Sequence, residues 1–298
     1  MAIPDRVIFQ SPTLRLGLFR CRPYEPWFED TGPISGHLIV FPRTPVCITY
    51  AGHQPIVTDP NVVMLYNDRQ EYRRSKISER GDLCEWFEFA PQIVLDALRP
   101  YDPSVDRHQV TPFTLTHGPS DADSYLLQRA VVEHILGTDQ PDRVYVEEAL
   151  LAVLGKTIHN AYRASGLHPG SARSSVASSA SELTYDVKHF LATHFRERIT
   201  IDQIAQAVYC SPYHLCRIFR QQTGSTIHSY LNQIRLRTAL EYLSQGTADL
   251  AGLGLELGYS SHSHFTLAFR RAFGSAPSAL RQRASTKKIQ QLSKILIA

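Results

Sequence analysis

Two stretches of this chain, about fifty residues apart, carry the same pattern, and nothing else in the sequence narrows the fold as far. The first is IDQIAQAVYCSPYHLCRIFRQQTG, Ile201 to Gly224. Ile201, Ile204 and Ala205 share one side of a short helix that breaks at Tyr209-Cys210. Ser211-Pro212 then starts a second helix. Serine accepts bonds from the free amides of a first turn, and proline is tolerated where an N–H has no partner. In this second helix Leu215, Ile218 and Phe219 fall on one face, while Tyr213, Cys216, Arg217 and Arg220 are turned away from it. Two short helices meeting at a tight turn, the second apolar inside and polar and basic outside, suit the major groove of DNA.

The second stretch is LGLELGYSSHSHFTLAFRRAFG, Leu253 to Gly274. It aligns Leu215 with Phe265, Phe219 with Phe269, Arg220 with Arg270 and Gly224 with Gly274. Its turn has one extra residue, because Ala205 to Leu215 spans ten steps and Gly254 to Phe265 spans eleven. Between the copies, SYLNQIRLRTALEYL (Ser229 to Leu243) places Tyr230, Leu231, Ile234, Ala239 and Leu243 as the apolar positions of one long helix. A single helical hairpin arises readily by chance. Two copies joined by a connecting helix make one unit that spaces two readers.

These residues resemble the DNA-binding module of the AraC/XylS family of bacterial transcription regulators. The resemblance covers about a hundred residues: Ile204-Ala205, Ser211-Pro212, Leu215, Phe219, Thr223-Gly224, Tyr230-Leu231, Arg235, Ala239, Leu243, Gly258-Tyr259, Ser263, Phe265, Phe269-Arg270, Phe273-Gly274 and Pro277. The chain departs from the family at Gly252 and Gly254, which lie in the first helix of the second copy. Each glycine costs a helix roughly 1 kcal/mol relative to alanine, so the second copy is expected to be the softer one.

Charge separates the chain into two parts. Residues 1–181 hold 17 Lys and Arg against 21 Asp and Glu, a net of −4, whereas residues 182–298 hold 14 against 7, a net of +7. A basic module beside an acidic one fits a DNA reader joined to a part that does not touch DNA. At 298 residues the chain is long enough for two cores. No run of about eighteen apolar residues occurs and the N-terminus lacks a secretory apolar core, so the expectation is a cytoplasmic protein without a membrane span. Cys21, Cys47, Cys84, Cys210 and Cys216 show no CxxC spacing, which points to reduced thiols.

The N-terminal part reads as short strands: Leu14 to Phe19, His37 to Phe41, Val46 to Tyr50, Pro55 to Thr58, Val62 to Tyr66 and Leu83 to Phe89. Turn clusters separate them at intervals that fit a β-sandwich or a β-barrel, and a barrel leaves room for a small ligand. The resemblance implies a cupin-like barrel here. Apolar helical patterns follow at Ile93 to Leu98, Ser124 to Gly137 and Tyr145 to Tyr162. They need a partner surface, either the barrel alone or also a second subunit. The segment GLHPGSARSSVASSASE, Gly166 to Glu182, reads as a flexible tether. The expected organisation is α+β. Residues 1–165 form a cupin-like effector-binding and dimerisation domain, 166–181 a linker, 182–285 an all-α domain with two helix-turn-helix motifs, and 286–298 a basic amphipathic tail.

Base contact is assigned to Tyr213, Cys216 and Arg217 in the first copy, on their outer position and the family resemblance; arginine pairs bidentately with guanine. His262, Ser263 and Thr266 are the matching positions in the second copy, where Leu267 stands in place of Arg217. Ser211, His214, Arg220, Arg270 and Arg271 are expected at phosphates. His37, Tyr50, Tyr66, Trp86 and Glu88 are candidates for an effector pocket.

No metal or cofactor is expected. His262 and His264 are two apart on a helix and point in different directions, and no HxH with a later carboxylate and histidine occurs between His37 and His117. No enzyme activity is expected either. A DNA-repair methyltransferase can carry the same module, but Cys84 lies in Leu-Cys-Glu-Trp-Phe without the PCHR-type setting of such enzymes. The reading is a DNA-binding transcription regulator controlled by a small-molecule effector, with a homodimer and RNA polymerase as further partners. The alternative is a constitutive regulator whose barrel serves only dimerisation.

Overall fold

Strand β3 (His37–Pro42) is buried at every position, and its two faces go to two different cores. Successive strand residues point to opposite sides of a sheet. Ile39 and Phe41 join Val63, Leu65, Phe87 and Phe89 on one side, while Leu38 and Val40 join Met64, Cys84 and Trp86 on the other. A sheet covered on both faces is therefore written into this run. The computed structural model describes residues 5–30, 32–166, 177–244 and 249–283.

The large sheet is antiparallel, in the order β1 (Asp5–Gln10), β2 (Leu14–Cys21), β8 (Asp82–Phe89), β3, β6 (Val62–Tyr66) and β9 (His117–Pro119). A second antiparallel sheet, β5 (Ile56–Thr58), β4 (Val46–Thr49) and β7 (Arg73–Lys76), faces it. The inner faces meet through Leu38, Val40, Met64 and Trp86 on one side and Val46 and Ile48 on the other. The six expected strands are all present. β1, β7 and β9 were not anticipated: β7 is the polar sequence RRSK at a sheet edge, and β9 has three residues.

Helices α1 (Pro91–Leu98), α2 (Ala122–Leu136) and α3 (Arg143–Ser165) cover the outer face of the large sheet, burying Leu127, Val131, Leu150, Val153 and Leu154 there. Val144 and Leu151 of α3 stay exposed.

The C-terminal module consists of α4 (Ala177–His194), α5 (Ile201–Ala207), α6 (Pro212–Thr223), α7 (Ile227–Ser244), α8 (Leu250–Glu256), α9 (His262–Phe273) and α10 (Pro277–Arg283). Its core joins Val187 and Leu191 of α4 to Leu215, Phe219, Ile234, Ala239, Phe265 and Phe269. The expected tether is shortened by the structure. Ala177 to Ser181 are the first turns of α4, as their alanines permit, while 167–176 and the tail 286–298 lie outside the described residues.

The module is docked on the N-terminal domain. Ala192 of α4 packs on Cys47 and Val57, with Tyr185 Oη 3.2 Å from Cys47 Sγ. Leu126 of α2 packs on the module's core, and α2 lies against α9. α7 is enclosed on both sides: from Tyr230 to Leu243 none of its residues is fully exposed, and Arg237 is 2% exposed.

Candidate nucleic-acid interface and inter-sheet cavity

The two helix pairs are built by the same local devices. In the first, Tyr209 takes a left-handed conformation (φ 52°) and Cys210 N–H donates to the Ala205 carbonyl at 2.9 Å. In the second, Gly258 (φ 80°) takes that place and Tyr259 N–H donates to Gly254 at 3.0 Å. Ser211 caps α6 by accepting from His214 N–H, and Ser261 caps α9 by accepting from His264 N–H, at 3.3 and 3.1 Å. Both helices end on left-handed glycines, Gly224 and Gly274. The extra residue of the second turn is therefore placed between Gly258 and the Ser261 cap, where it does not disturb the helix register.

The glycine expected to soften the second copy has a packing role. A Cβ on Gly254 would come within 2.9 Å of Phe265 Cβ, so its absence lets α8 approach α9 closely. Phe265, Phe269 and Phe273 then form an aromatic ladder with centroid spacings of 5.7 and 4.7 Å.

On the outer faces, Tyr213 is 80% exposed, and His214, Cys216, Arg217 and Arg220 are exposed beside it. Arg217 Nη2 lies 3.4 Å from His214 Nδ1. Tyr213, Cys216, Arg217 and Arg220 form one wall of an open groove whose other wall is the start of α7, with Thr226 and His228. The sequence reading missed this second wall, although Thr226 carries a usable signal: it caps α7 by accepting from Ser229 N–H at 3.1 Å. His262, Ser263, Arg270 and Arg271 of α9 are exposed as expected. Thr266 differs. It is half-buried, with its Oγ1 enclosed and without a hydrogen-bond partner among the described residues, so this conformation does not present the hydroxyl to a groove. Ser211 is exposed, but its oxygen already serves the cap.

Between the two sheets of the N-terminal domain lies a cavity of about 520 Å³. Of the expected lining residues it brings together Tyr66, Trp86 and Glu88, and it leaves out His37 and Tyr50. The strand alternation explains His37, which points with Ile39 to the helix side. There it packs edge-on against Phe113 and its Nδ1 accepts from Asp68 N–H at 3.3 Å. Burial holds its pKa below the usual histidine range. Tyr50 sits behind the wall, packed on the Tyr66 ring at 5.8 Å.

The wall is mostly apolar, from Phe19, Leu38, Val40, Ile48, Met64 and Trp86, with an ion pair at each end. Arg15 and Glu88 pair at a partly exposed edge. Arg74 pairs with Asp82 at 2.6 Å in the interior, its guanidinium 4.7 Å from the Phe19 ring and 5.3 Å from that of Tyr72. Burial raises the Asp82 carboxyl above the usual range. Trp86 Nε1 donates to Asp5 at 2.6 Å, and Gly17 makes room for its ring, since a Cβ there would lie 2.2 Å from Cζ2. Arg74 and Asp82 escaped the sequence reading because each sits in a polar run that resembles a solvated edge or turn.

Among the described residues no His, Cys, Asp and Glu side chains group to hold a metal ion, and no helix is long and apolar enough to cross a membrane.

A family model described as a helix-turn-helix domain matches residues 204–283. The HTH-type transcriptional activator RhaS of Escherichia coli is 33% identical over 116 residues, covering 39% of this chain and 41% of that protein. The bifunctional transcriptional activator/DNA repair enzyme AdaA of Bacillus subtilis is 27% identical over 96 residues, 32% of this chain and 46% of that protein. The chain thus spans less than half the length of these curated relatives. Among solved structures, ToxT from Vibrio cholerae aligns over 92% of this chain and 99% of its own, with a TM-score of 0.40 and 11% identity.

Proposed function

We propose that this chain, whose C-terminal module resembles that of the AraC/XylS family, is a sequence-specific DNA-binding transcription regulator whose N-terminal cavity takes a small-molecule effector. The observation that carries the reading is the pair of equivalently built helix-turn-helix units in one module, both with exposed polar and basic outer faces. Two such readers enter successive major-groove segments about one helical turn apart, with phosphate contacts supplying affinity and base edges supplying choice. Tyr213, Cys216 and Arg217 read bases in the first unit, and His262 and Ser263 in the second. His214, Arg220, Arg270 and Arg271 hold the backbone.

The cavity supports the effector half of the proposal. Its apolar wall with a few fixed polar groups is the usual character of a small-molecule site. The division into an effector and dimerisation domain, a linker and a DNA-binding domain belongs to the same proposal. So do a cytoplasmic homodimer and contact with RNA polymerase. Catalysis by Cys84 is disfavoured, because burial pushes its thiol well above the ordinary range and leaves it unreactive.

Selection from random duplexes tests the DNA reading. The expected product is two half-sites about 10 base pairs apart, and Arg217→Ala is expected to relax the choice at one base position as well as weaken binding. Selection profiles that differ only in overall affinity would remove the base-reading assignment. A thermal-shift screen against sugars, aromatics and metabolites tests the effector, since a compound that binds only the folded state raises its apparent stability. If no compound does so, the constitutive alternative is the better account.

A further inference from the structure

α7, the helix that joins the two readers, carries three polar side chains on one stripe: Tyr230, Arg237 and Glu241, at i, i+7 and i+11. All three are buried, and all three are engaged by the N-terminal domain. Tyr230 Oη donates to Asp59 at 2.8 Å, and Asn61 Nδ2 donates to the Tyr230 carbonyl at 3.1 Å. Arg237 donates to the Pro60 carbonyl, to Asn61 Oδ1 at 2.9 Å and to the Ser120 carbonyl at 2.6 Å, with its guanidinium 4.9 Å from the Tyr125 ring. Glu241 accepts from Arg43, whose other terminal nitrogen pairs with the buried Glu85 at 2.9 Å.

The domain residues in this contact are sequence neighbours of the cavity wall. Thr58 lines the cavity and Asp59 holds Tyr230; Pro42 lines it and Arg43 holds Glu241. Cys84 and Trp86 line it, while Glu85 between them faces the other way, toward Arg43 and Arg129. Alternation places Glu85 and its two neighbours on opposite faces of β8, while Arg43 and Asp59 directly follow the last residues of β3 and β5, so a shift of the wall is also a shift of the contact.

We propose that this contact is a latch through which the state of the barrel cavity sets the position of α7, and with it the spacing of the two recognition helices. The latch deepens the effector reading of the cavity and rests on it. Arg237 acts in it as a positioning residue. Lys188 of α4 lies over the Tyr230 ring at 5.6 Å, and burial pushes the Asp59 carboxyl up and the Lys188 ammonium and Arg237 guanidinium down, so holding these charges carries a desolvation cost.

The test uses the full chain and duplexes carrying the two selected half-sites, with the spacer native or changed by one or two base pairs. Two linked readers gain affinity from simultaneous engagement only where the geometry allows it, so wild type is expected to lose about tenfold or more per changed base pair. Arg237→Met, and separately Asp59→Asn with Tyr230→Phe, are expected to flatten that profile to within about threefold while a single first half-site is bound as by wild type. A profile that stays as steep as wild type overturns the positioning role. So does a uniform loss, which would also include the first half-site and report damage to the fold.

Val40→Trp, which fills the cavity without touching the latch, tests the coupling. Hydrogen exchange at the Tyr230 to Glu241 amides is expected to change about fivefold or more in the wild-type background and not in Arg237→Met. Unchanged exchange in both backgrounds overturns the coupling. Failure of the effector reading would register separately, as a thermal-shift screen without hits beside an intact dependence of spacing on the latch.

Discussion

The two helix-turn-helix units share their turn, cap and stop and the exposed pairs His214/His264 and Arg220/Arg270, and differ at the remaining outward positions. Each has a left-handed residue at the turn, a serine cap and a glycine stop. The first then shows Tyr213, Cys216 and Arg217 beside an open groove, whereas the second shows His262, Ser263 and Leu267, encloses the Thr266 hydroxyl and has α2 against it. The repeat thus preserves what makes a reader and varies what is read. On the function proposed above, the first copy would carry more of the base discrimination, and the second has α2 of the N-terminal domain against it.

The largest expected effect bears on how the second copy is packed. Gly254→Leu drives a side chain into Phe265 and is expected to cost about 2–3 kcal/mol, seen as loss of the second half-site with the first retained. At the matching position, Ala205→Gly is expected to cost only about 1 kcal/mol. Equal losses at the two positions would mean that the close approach of α8 to α9 is not special.

Outer-face substitutions sharpen the comparison next. Arg217→Ala is expected to remove about 1–3 kcal/mol of discrimination at one base pair, and Leu267→Ala less than about 1 kcal/mol, measured as binding to single-base operator variants. A larger effect at Leu267 would reverse the roles of the two copies. The smallest effect lies in the turns. Tyr209 holds a left-handed conformation while 97% exposed, so Tyr209→Gly is expected to raise the stability of the first copy by about 0.5 kcal/mol in chemical denaturation. Gly258→Ala should lower that of the second, because its Cβ would meet the Arg196 carbonyl at 2.8 Å.

Most of the C-terminal module was legible because its signals are local. Caps, glycine stops and a 3.6-residue period act within a few residues of one another, and the register of Leu215 on Phe265 follows from them. The strands were legible where β-branched and aromatic residues dominate, as in Val62 to Tyr66, and not where a strand is held only by its neighbours, as in Arg73 to Lys76. The candidate cavity was legible in part. Trp86 and Glu88 alternate onto the inner face with Cys84, but His37 could not be assigned to a face until the pairing of β3 with β6 and β8 was known. The docking of the two domains was hidden altogether. Arg237 in IRLRTAL reads as a solvated charge on a helix, because its acceptors at Pro60, Asn61 and Ser120 are more than a hundred residues away.

From Tyr230 to Leu243, α7 has two sets of neighbours to satisfy. Substitutions along α7 must suit the DNA module and the sheet corner at Asp59 to Asn61 together, so the two halves of this chain are not interchangeable parts. Grafting the C-terminal half onto an unrelated sensor would take from Arg237 its acceptors at Pro60, Asn61 and Ser120 and from Glu241 its pairing with Arg43, unless the graft also carried those residues.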